Sequence, residues 1–303
     1  MNYRHAFHAG NFADCMKHAL LVWLVEALAR KPAPFFVLDT HAGAGHYDLD
    51  DGPATRTREA EGAIMRLLHN FSVIAGEGPP PSTSSGATDE GRAWRAVARH
   101  DNWEHVAPYV SLVRRLGLYP GSPSLIEALL RPDDRLACCE LHPDDTAALR
   151  HLFARNQAVS VHHRDGWEAL RGLLPPTQKR GLVLIDPPFE DPDEFAHLTE
   201  GLKLGHSRFR TGVFAAWYPI KRLAQVRQFL AAMRDSGIRD IVTAEFLLRE
   251  PLDPARLNGS GLLVVNPPYR FEAAAADILS AILDAIGTGE TGQGVAVTRL
   301  ADE

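Results

Sequence analysis

The 303-residue chain is 45% hydrophobic and 23% charged, with 24 Gly and 21 Pro, which excludes collagen-like and wholly disordered chains. Its 38 acidic and 32 basic side chains give a net charge of −6, so a scaffold that coats nucleic acid with its whole surface is excluded, while a local basic face is not. Three cysteines, Cys15, Cys138 and Cys139, build no disulfide framework and suit reduced thiols. The N-terminal block MNYRHAFHAGNFADCMKH lacks the apolar core of a signal peptide, and the apolar run at 19–29 is broken by Glu26 and too short to span a bilayer. The expectation is a cytoplasmic protein without a membrane partner.

In chain order, residues 13–30 (ADCMKHALLVWLVEALAR) predict an amphipathic helix, followed by a buried strand at 35–40 (FFVLDT). Residues 48–117 then separate this strand from the next. That is too long for a plain crossover, and the pattern around ATRTREAEGAIMRLLHNF is helical, so an inserted helical subdomain is expected there. Within it, 76–91 (GEGPPPSTSSGATDEG) reads as a flexible loop by composition. Further continuous apolar runs predict buried strands at 136–141 (LACCEL), 159–163 (VSVHH), 182–186 (LVLID), 212–218 (GVFAAWY), 240–248 (DIVTAEFLL) and 261–265 (GLLVV). Helical stretches at 144–156, 193–204 and 221–236 lie between them, the last stopping before Gly237. The tail after Gly287 carries one more short strand-like segment, VAVTRL. Alternating strands and helices argue for an α/β fold: a doubly wound, mainly parallel seven-stranded sheet over 1–47 and 118–303, interrupted by the insert.

The first strand runs into Asp39-Thr-His-Ala-Gly-Ala-Gly45, where Gly43 and Gly45 permit close approach of backbone to a nucleotide. A dinucleotide fingerprint wants a third glycine at 48, but Asp48 stands there, which argues against a nicotinamide dehydrogenase. Acids do fall at the following strand ends: Glu140 after the second strand, placed to grip a ribose diol, and Asp165-Gly166 after the third, placed to bond an adenine amine. Any one of these acids is more simply a helix cap. Three features in this order at strand ends form the layout of an S-adenosylmethionine site.

The most specific motif is Asp186-Pro187-Pro188-Phe189, directly after LVLI. Two prolines can neither continue a ladder nor enter a helix interior, so the turn is rigid and Asp186 is fixed at the sheet edge. The chemistry needs that rigidity, because an exocyclic adenine amine has its lone pair delocalised into the ring. A carboxylate and the Pro187 carbonyl accept its two N–H bonds and localise the lone pair, while Phe189 stacks on the extruded base. A second copy of the form, Asn266-Pro267-Pro268-Tyr269, follows too late in the chain for the remaining strands to fit after it, and reads as structural.

At these residues the chain resembles the RlmJ family of bacterial large-subunit ribosomal RNA adenine-N6 methyltransferases. The shared blocks, in order, are YRHAFHAGNFADCMKH, LDTHAGAGHYDL, RTREAEG, YPGSP, ELHP, DG, RGLVLIDPPFE, WYP and SGLLVVNPP. The resemblance implies a Rossmann-like core with an inserted helical subdomain, S-adenosylmethionine as donor and an adenine of 23S ribosomal RNA as acceptor, free or in an early precursor. It places cofactor contacts on His18, His41, Ser122, Glu140, Asp165 and Gly166, and the catalytic aspartate on Asp186, which also borders the cofactor. Tyr3 matches a tyrosine near the substrate, and Arg4 beside it is basic. The family's proline loop often ends in Tyr; here Phe189 keeps the stacking surface without the phenol hydrogen bond. Loop 76–91 is longer than the family leads one to expect.

His5 and His8, with Asp14 nearby, invite a metal reading, but the motif chemistry needs no metal and none is expected. Basic residues recur in the N-terminal block and the insert (Arg4, Lys17, Arg56, Arg58, Arg66, Arg92, Arg95, Arg99, Arg114 and Arg115), where convergence on one face would serve RNA phosphates. Two alternatives stand beside the RNA enzyme: a DNA adenine methyltransferase, since the proline loop does not read the 2′-OH, and a silent binding protein on the same scaffold. A monomer is adequate for the chemistry.

Overall fold

The computed structural model describes residues 7–49, 57–74 and 101–303. Each of the seven expected apolar runs forms a strand of one sheet. They are β1 (Phe36–Asp39), β4 (Arg135–Glu140), β5 (Val159–His163), β6 (Gly181–Ile185), β7 (Val213–Ile220), β8 (Ile241–Leu247) and β9 (Gly259–Val265). The tail adds an eighth, β10 (Gly294–Ala301), paired antiparallel to β8. The order is β10-β8-β9-β7-β6-β1-β4-β5. Strands β5, β4, β1, β6 and β7 run parallel, and β9 is antiparallel to both β7 and β8.

Successive strand residues divide between the two faces, as the pleat requires. Val37 and Leu184 join the core on one face; Leu38, Val183 and Ile185 join the core on the other. The second face is covered by α7 (Gly166–Gly172), α8 (Glu194–Arg208) and α9 (Leu223–Arg234). The first face holds α1 (Phe12–Ala29), α5 (Ser122–Glu127), α6 (Pro143–Leu152) and α10 (Phe271–Ile286).

The long segment between β1 and β4 leaves and returns through a two-stranded antiparallel ribbon, β2 (His46–Tyr47) with β3 (Tyr119–Pro120). Its described helices are α2 (Glu59–Gly62), α3 (Ile64–Ile74) and α4 (Ala107–Leu116), with a 3₁₀ turn at Asp101–His105. Ala60, Ile64, Leu67, Trp103, Tyr109 and Val110 are buried in the same core as α1 and α10. Loop 76–91 lies outside the described residues.

Helix α1 departs from the amphipathic expectation: 14 of its 18 residues are buried, because α4, α5 and α10 all pack on it. Asn11 caps it, accepting from the Asp14 amide at 3.0 Å. Its polar residues Asp14, Lys17 and His18 therefore face the interior of the molecule, where they line a cleft.

Leu24, fully buried on α1, tests how far this helix anchors the fold. Leu24→Ala is expected to lower the unfolding free energy by about 3 kcal/mol in a urea titration. Leu118→Ala, at a side chain 48% exposed, is expected to change it by less than about 0.5 kcal/mol.

Candidate active site

In this sheet the chain reverses its direction of winding between β1 and β6, which are neighbours. The loops after parallel strands part there and leave a crevice at the carboxyl edge, the place where open α/β sheets bind ligands. A cleft of about 700 Å³ occupies it. Its walls come from the ends of β1, β4, β5, β6 and β7 and from the first turns of α1.

His18, His41, Gly43, Ser122, Glu140, Asp165, Gly166, Asp186, Pro187 and Phe189 all line this one cleft. Gly45 does not. Its carbonyl accepts from the Gly121 amide at 2.7 Å and the Ser124 hydroxyl at 2.8 Å, so it ties the β1 loop to α5 behind the cleft wall. Tyr3, Arg4 and His5 lie outside the described residues.

Glu140 is 9% exposed and is fixed by backbone donors. The Gly43 amide bonds Oε2 at 2.8 Å and the His142 amide bonds Oε1 at 2.7 Å, so each oxygen keeps acceptor capacity towards the cleft. Gly43 sits at φ +63°, and a β-carbon there would fall 2.2 Å from the Tyr47 hydroxyl, so both conformation and space demand glycine. Asp165 does cap α7, with Oδ1 accepting from the Trp167 and Glu168 amides at 2.8 and 3.0 Å. Both bonds fall on one oxygen, so capping and ligand binding are compatible roles. A β-carbon on Gly166 would meet the Thr40 carbonyl at 2.4 Å and the His41 ring at 2.8 Å, so glycine lets α7 close on the first loop.

Burial pushes His41 down to about 4, so its ring is neutral at pH 7. The Thr40 hydroxyl donates to the Leu184 carbonyl at 2.9 Å, so His41 Nδ1, 2.8 Å from that hydroxyl, is the donor to it. Nε2 is then an acceptor. His18 Nδ1 lies 3.0 Å from the Tyr119 hydroxyl, itself 3.1 Å from that of Tyr109.

Sequence reasoning missed three groups. The first is the partner of the proline-turn carboxylate: Lys17 Nζ donates to Asp186 Oδ2 at 2.5 Å and to Asp14 Oδ1 at 3.0 Å, with Lys17 and Asp14 5% and 3% exposed. Their i,i+3 spacing on a helix was visible, but any such pair reads first as a surface bridge. The second is Asp39, fully buried, which accepts from the Ser122 hydroxyl at 2.7 Å through Oδ2 while its Oδ1 has no partner. The third is Trp217, whose ring meets Phe189 edge-to-face at 5.6 Å. Phe195 also meets it edge-to-face, at 4.9 Å. Between them they hold Phe189 at φ +52°, a conformation bulky residues seldom adopt.

Asn266 sits at the end of antiparallel β9, hence at the opposite edge of the sheet from Asp186. Its amide donates to the Arg210 and Gly212 carbonyls, both at 2.8 Å, a structural staple. His8 is engaged with Glu59 at 3.1 Å, and the bond raises its pKa. Among the described residues no group of three or more His, Cys, Asp or Glu is arranged to hold a metal.

The family model described as "Ribosomal RNA large subunit methyltransferase D, RlmJ" matches residues 32–75 and 80–298. The ribosomal RNA large subunit methyltransferase J of Escherichia coli K12 is 36% identical over 279 residues, covering 92% of this chain and 91% of that protein. The protein of the same name from Haemophilus influenzae is 34% identical over 286 residues, with 92% of each chain covered. A crystal structure of a Legionella pneumophila protein superposes with a TM-score of 0.79 at 32% identity, covering 96% of this chain and 98% of that one.

Burial, and secondarily the charge of Asp186, push Asp39 up to about 7. The unfolded chain releases this proton near pH 4, so between pH 4 and 7 the folded state binds more protons and loses stability as pH rises. Asp39→Asn removes that loss. Measured by urea unfolding of the free protein, its stabilisation is expected to be larger at pH 8 than at pH 5 by at least about 1 kcal/mol. An equal effect at both pH values would show that the carboxyl is not so perturbed.

Proposed function

The chain belongs to the RlmJ family of ribosomal RNA large subunit methyltransferases, and from that premise we propose that it transfers a methyl group from S-adenosylmethionine to the exocyclic N6 amine of an adenine in 23S ribosomal RNA. The observation that carries this to the chain's own chemistry is that the Asp186-Pro187-Pro188-Phe189 turn opens into the same cleft as His41, Glu140 and Asp165.

The residues present fit the cofactor. Asp39 Oδ1 is a buried acceptor without a partner, suited to the ammonium of a methionine moiety. Glu140, anchored by two amides, offers its remaining lone pairs to a ribose diol. Asp165 and the neutral His41 supply acceptors at the other end, and Gly43 and Gly166 let the first loop pack closely on Tyr47 and α7, which holds these acceptors in place. His18 and Ser122 complete the wall. When bound, the cofactor supplies an electrophilic methyl on a sulfonium.

This chain's residues then act on the amine. Phe189, braced by Phe195 and Trp217, offers its ring to a base extruded from the RNA. The bond from Lys17 falls on Oδ2 of Asp186 and leaves Oδ1 to accept one amine N–H, while the Pro187 carbonyl accepts the other. The nitrogen lone pair, drawn out of conjugation by these two acceptors, is aimed at the methyl that the cofactor would supply, whose C–S bonding pair would stay on sulfur. The proton then leaves the nitrogen through Asp186 to water. Lys17 keeps Asp186 aligned throughout, and positioning carries most of the acceleration.

Ribosomal RNA family membership favours RNA over DNA as substrate, and an intact catalytic turn argues against a silent scaffold. RNA free or in an early precursor suits a cleft open at its mouth. Every group used comes from one chain, so a monomer suffices. No helix among the described residues is long and apolar enough to cross a membrane.

Transfer of labelled methyl to unmodified 23S RNA tests the assignment. Asp186→Asn is expected to lower turnover at least about 100-fold while cofactor affinity, measured by calorimetry, changes less than about fivefold. Unchanged turnover would remove Asp186 from the mechanism, and label appearing only in duplex DNA would overturn the substrate.

A further inference from the structure

Flipping a base out of an RNA strand requires the phosphates on either side of it to be held, and two arginines of the insert are already committed elsewhere. Arg58 pairs with Glu61 at 2.9 Å. Arg114 lies over the Phe71 ring at 5.1 Å and bonds the Leu68 carbonyl at 3.1 Å. Both are engaged within the insert itself.

The loops that follow β7 and β8 differ. The β7–α9 loop carries Lys221 and Arg222, and the β8–β9 loop, residues 248–258, carries Arg249 and Arg256. Lys221, Arg249 and Arg256 line the mouth of the cleft. Arg249 is committed to Glu290 at 2.9 Å. Lys221, Arg222 and Arg256 are exposed and enter no ion pair among the described residues. Glu250 and Asp253 are also exposed on this rim, so its excess of positive charge is local to the side chains named.

These loops are fixed in place. Asn258, fully buried, donates its amide to the Lys221 carbonyl at 3.2 Å and to the Asp253 carbonyl at 2.7 Å, binding the two loops together. Its backbone amide bonds the Ile220 carbonyl at 3.1 Å, and its carbonyl accepts from the Leu248 amide at 2.9 Å. The Glu250 amide ties the same rim to the Thr291 carbonyl at 2.8 Å. Three cations thus project from a stapled platform rather than from free loops, which lowers the entropy lost on binding.

The loop that follows the catalytic turn has the opposite charge. Glu190, Asp191 and Asp193 are exposed there, with Glu194 buried behind them. A polyanion is repelled from that loop and attracted to the 221–222 and 248–258 loops. We propose that the rim built from the 221–222 and 248–258 loops is the phosphate-docking surface for the RNA strand flanking the target adenine, with Lys221, Arg222 and Arg256 as the contacting cations. The proposal rests on the reading of the cleft as an RNA methyltransferase site, and gives that site its direction of RNA approach.

The test uses the full chain and a protein-free 23S RNA transcript. In Lys221→Gln/Arg222→Gln/Arg256→Gln, KM for RNA is expected to rise at least about tenfold, with kcat and cofactor affinity within about twofold of wild type. The slope of log affinity against log salt is expected to become shallower by about 2, from roughly 0.7 for each of three single-strand phosphate contacts. Arg66→Gln/Arg115→Gln, at exposed arginines of the insert, is expected to leave both quantities near wild type. Should the triple variant lose cofactor affinity as well, the single variants Lys221→Gln and Arg256→Gln decide. Each must still flatten the slope by about 0.7, and failure to do so overturns the proposal. An unchanged KM and slope in the triple variant, or a loss confined to the insert variant, overturns it too. Wild-type protein that binds this RNA with the expected slope but transfers no methyl would sink the reading of the site instead, leaving the docking surface standing.

Discussion

Lys17, held between Asp14 and Asp186, is the interaction on which the arrangement of the site depends. It joins a helix that precedes the sheet to a turn 169 residues later in the chain. A buried lysine between two carboxylates is stable only while both remain in place, because removing either leaves charge without a partner in a poorly solvated setting. Asp14 is itself fixed by the Gly10 amide at 2.9 Å, and Asn11 caps the helix that carries it. The placement of α1 is therefore an electrostatic requirement of the Asp186 turn as much as a packing solution. The burial of α1 by α4, α5 and α10 serves this end. It lowers the water content around the ion pairs and so strengthens them.

The same site contains a local cost. Phe189 occupies the left-handed region at φ +52°, which costs on the order of 1–2 kcal/mol for a non-glycine residue. Edge-to-face contacts with Phe195 and Trp217, worth roughly 0.5–1.5 kcal/mol each, offset it. The aromatic cluster continues through Phe195 to Phe229, which also meets Tyr218. The conformation that presents the ring to the cleft is thus held by the hydrophobic core beneath α8 and α9. A rigid proline pair on one side and an aromatic brace on the other leave the turn little freedom.

The parts of this architecture readable from sequence are those where one residue type has one physical use. Continuous apolar runs mark buried parallel strands, and a pair of prolines after such a run marks a rigid edge turn. Acids at successive strand ends mark Glu140 and Asp165. Chain order alone separated Asp186 from Asn266, and the antiparallel direction of β9 supplies the reason: it carries Asn266 to the opposite edge. What was illegible depended on surroundings. Asp14 and Lys17 have the spacing of a polar pair facing water, and only the helices folded over them from distant sequence turn the pair inwards. Asp39 looked like the end of a strand; its orphaned oxygen exists only once Ser122 arrives from 83 residues away. Gly45 belongs to the expected loop, yet the ribbon that closes the insert pulls it behind the cleft wall.

Charge placement reconciles the negative total with a polyanionic substrate. The carboxylates concentrate in the sheet's centre, where Glu140, Asp165 and Asp186 line one cleft and Asp39 is buried against Ser122, another residue of its lining. Mutual repulsion there is visible in Asp39, which the charge of Asp186 helps to push up after burial has done most of it. Such a cleft suits a ligand that brings positive charge, as a sulfonium with a free ammonium does, and it is hostile to phosphate. An RNA strand must therefore insert only its base, which is neutral, and keep its backbone outside. The division follows from the topology. Strands β1, β4 and β5 carry the acids on one side of the switch point, and the cations at the mouth come from the loops of β7 and β8 on the other. Asp186 lies on β6 at the boundary, and it is the one carboxylate of the four with a lysine against it.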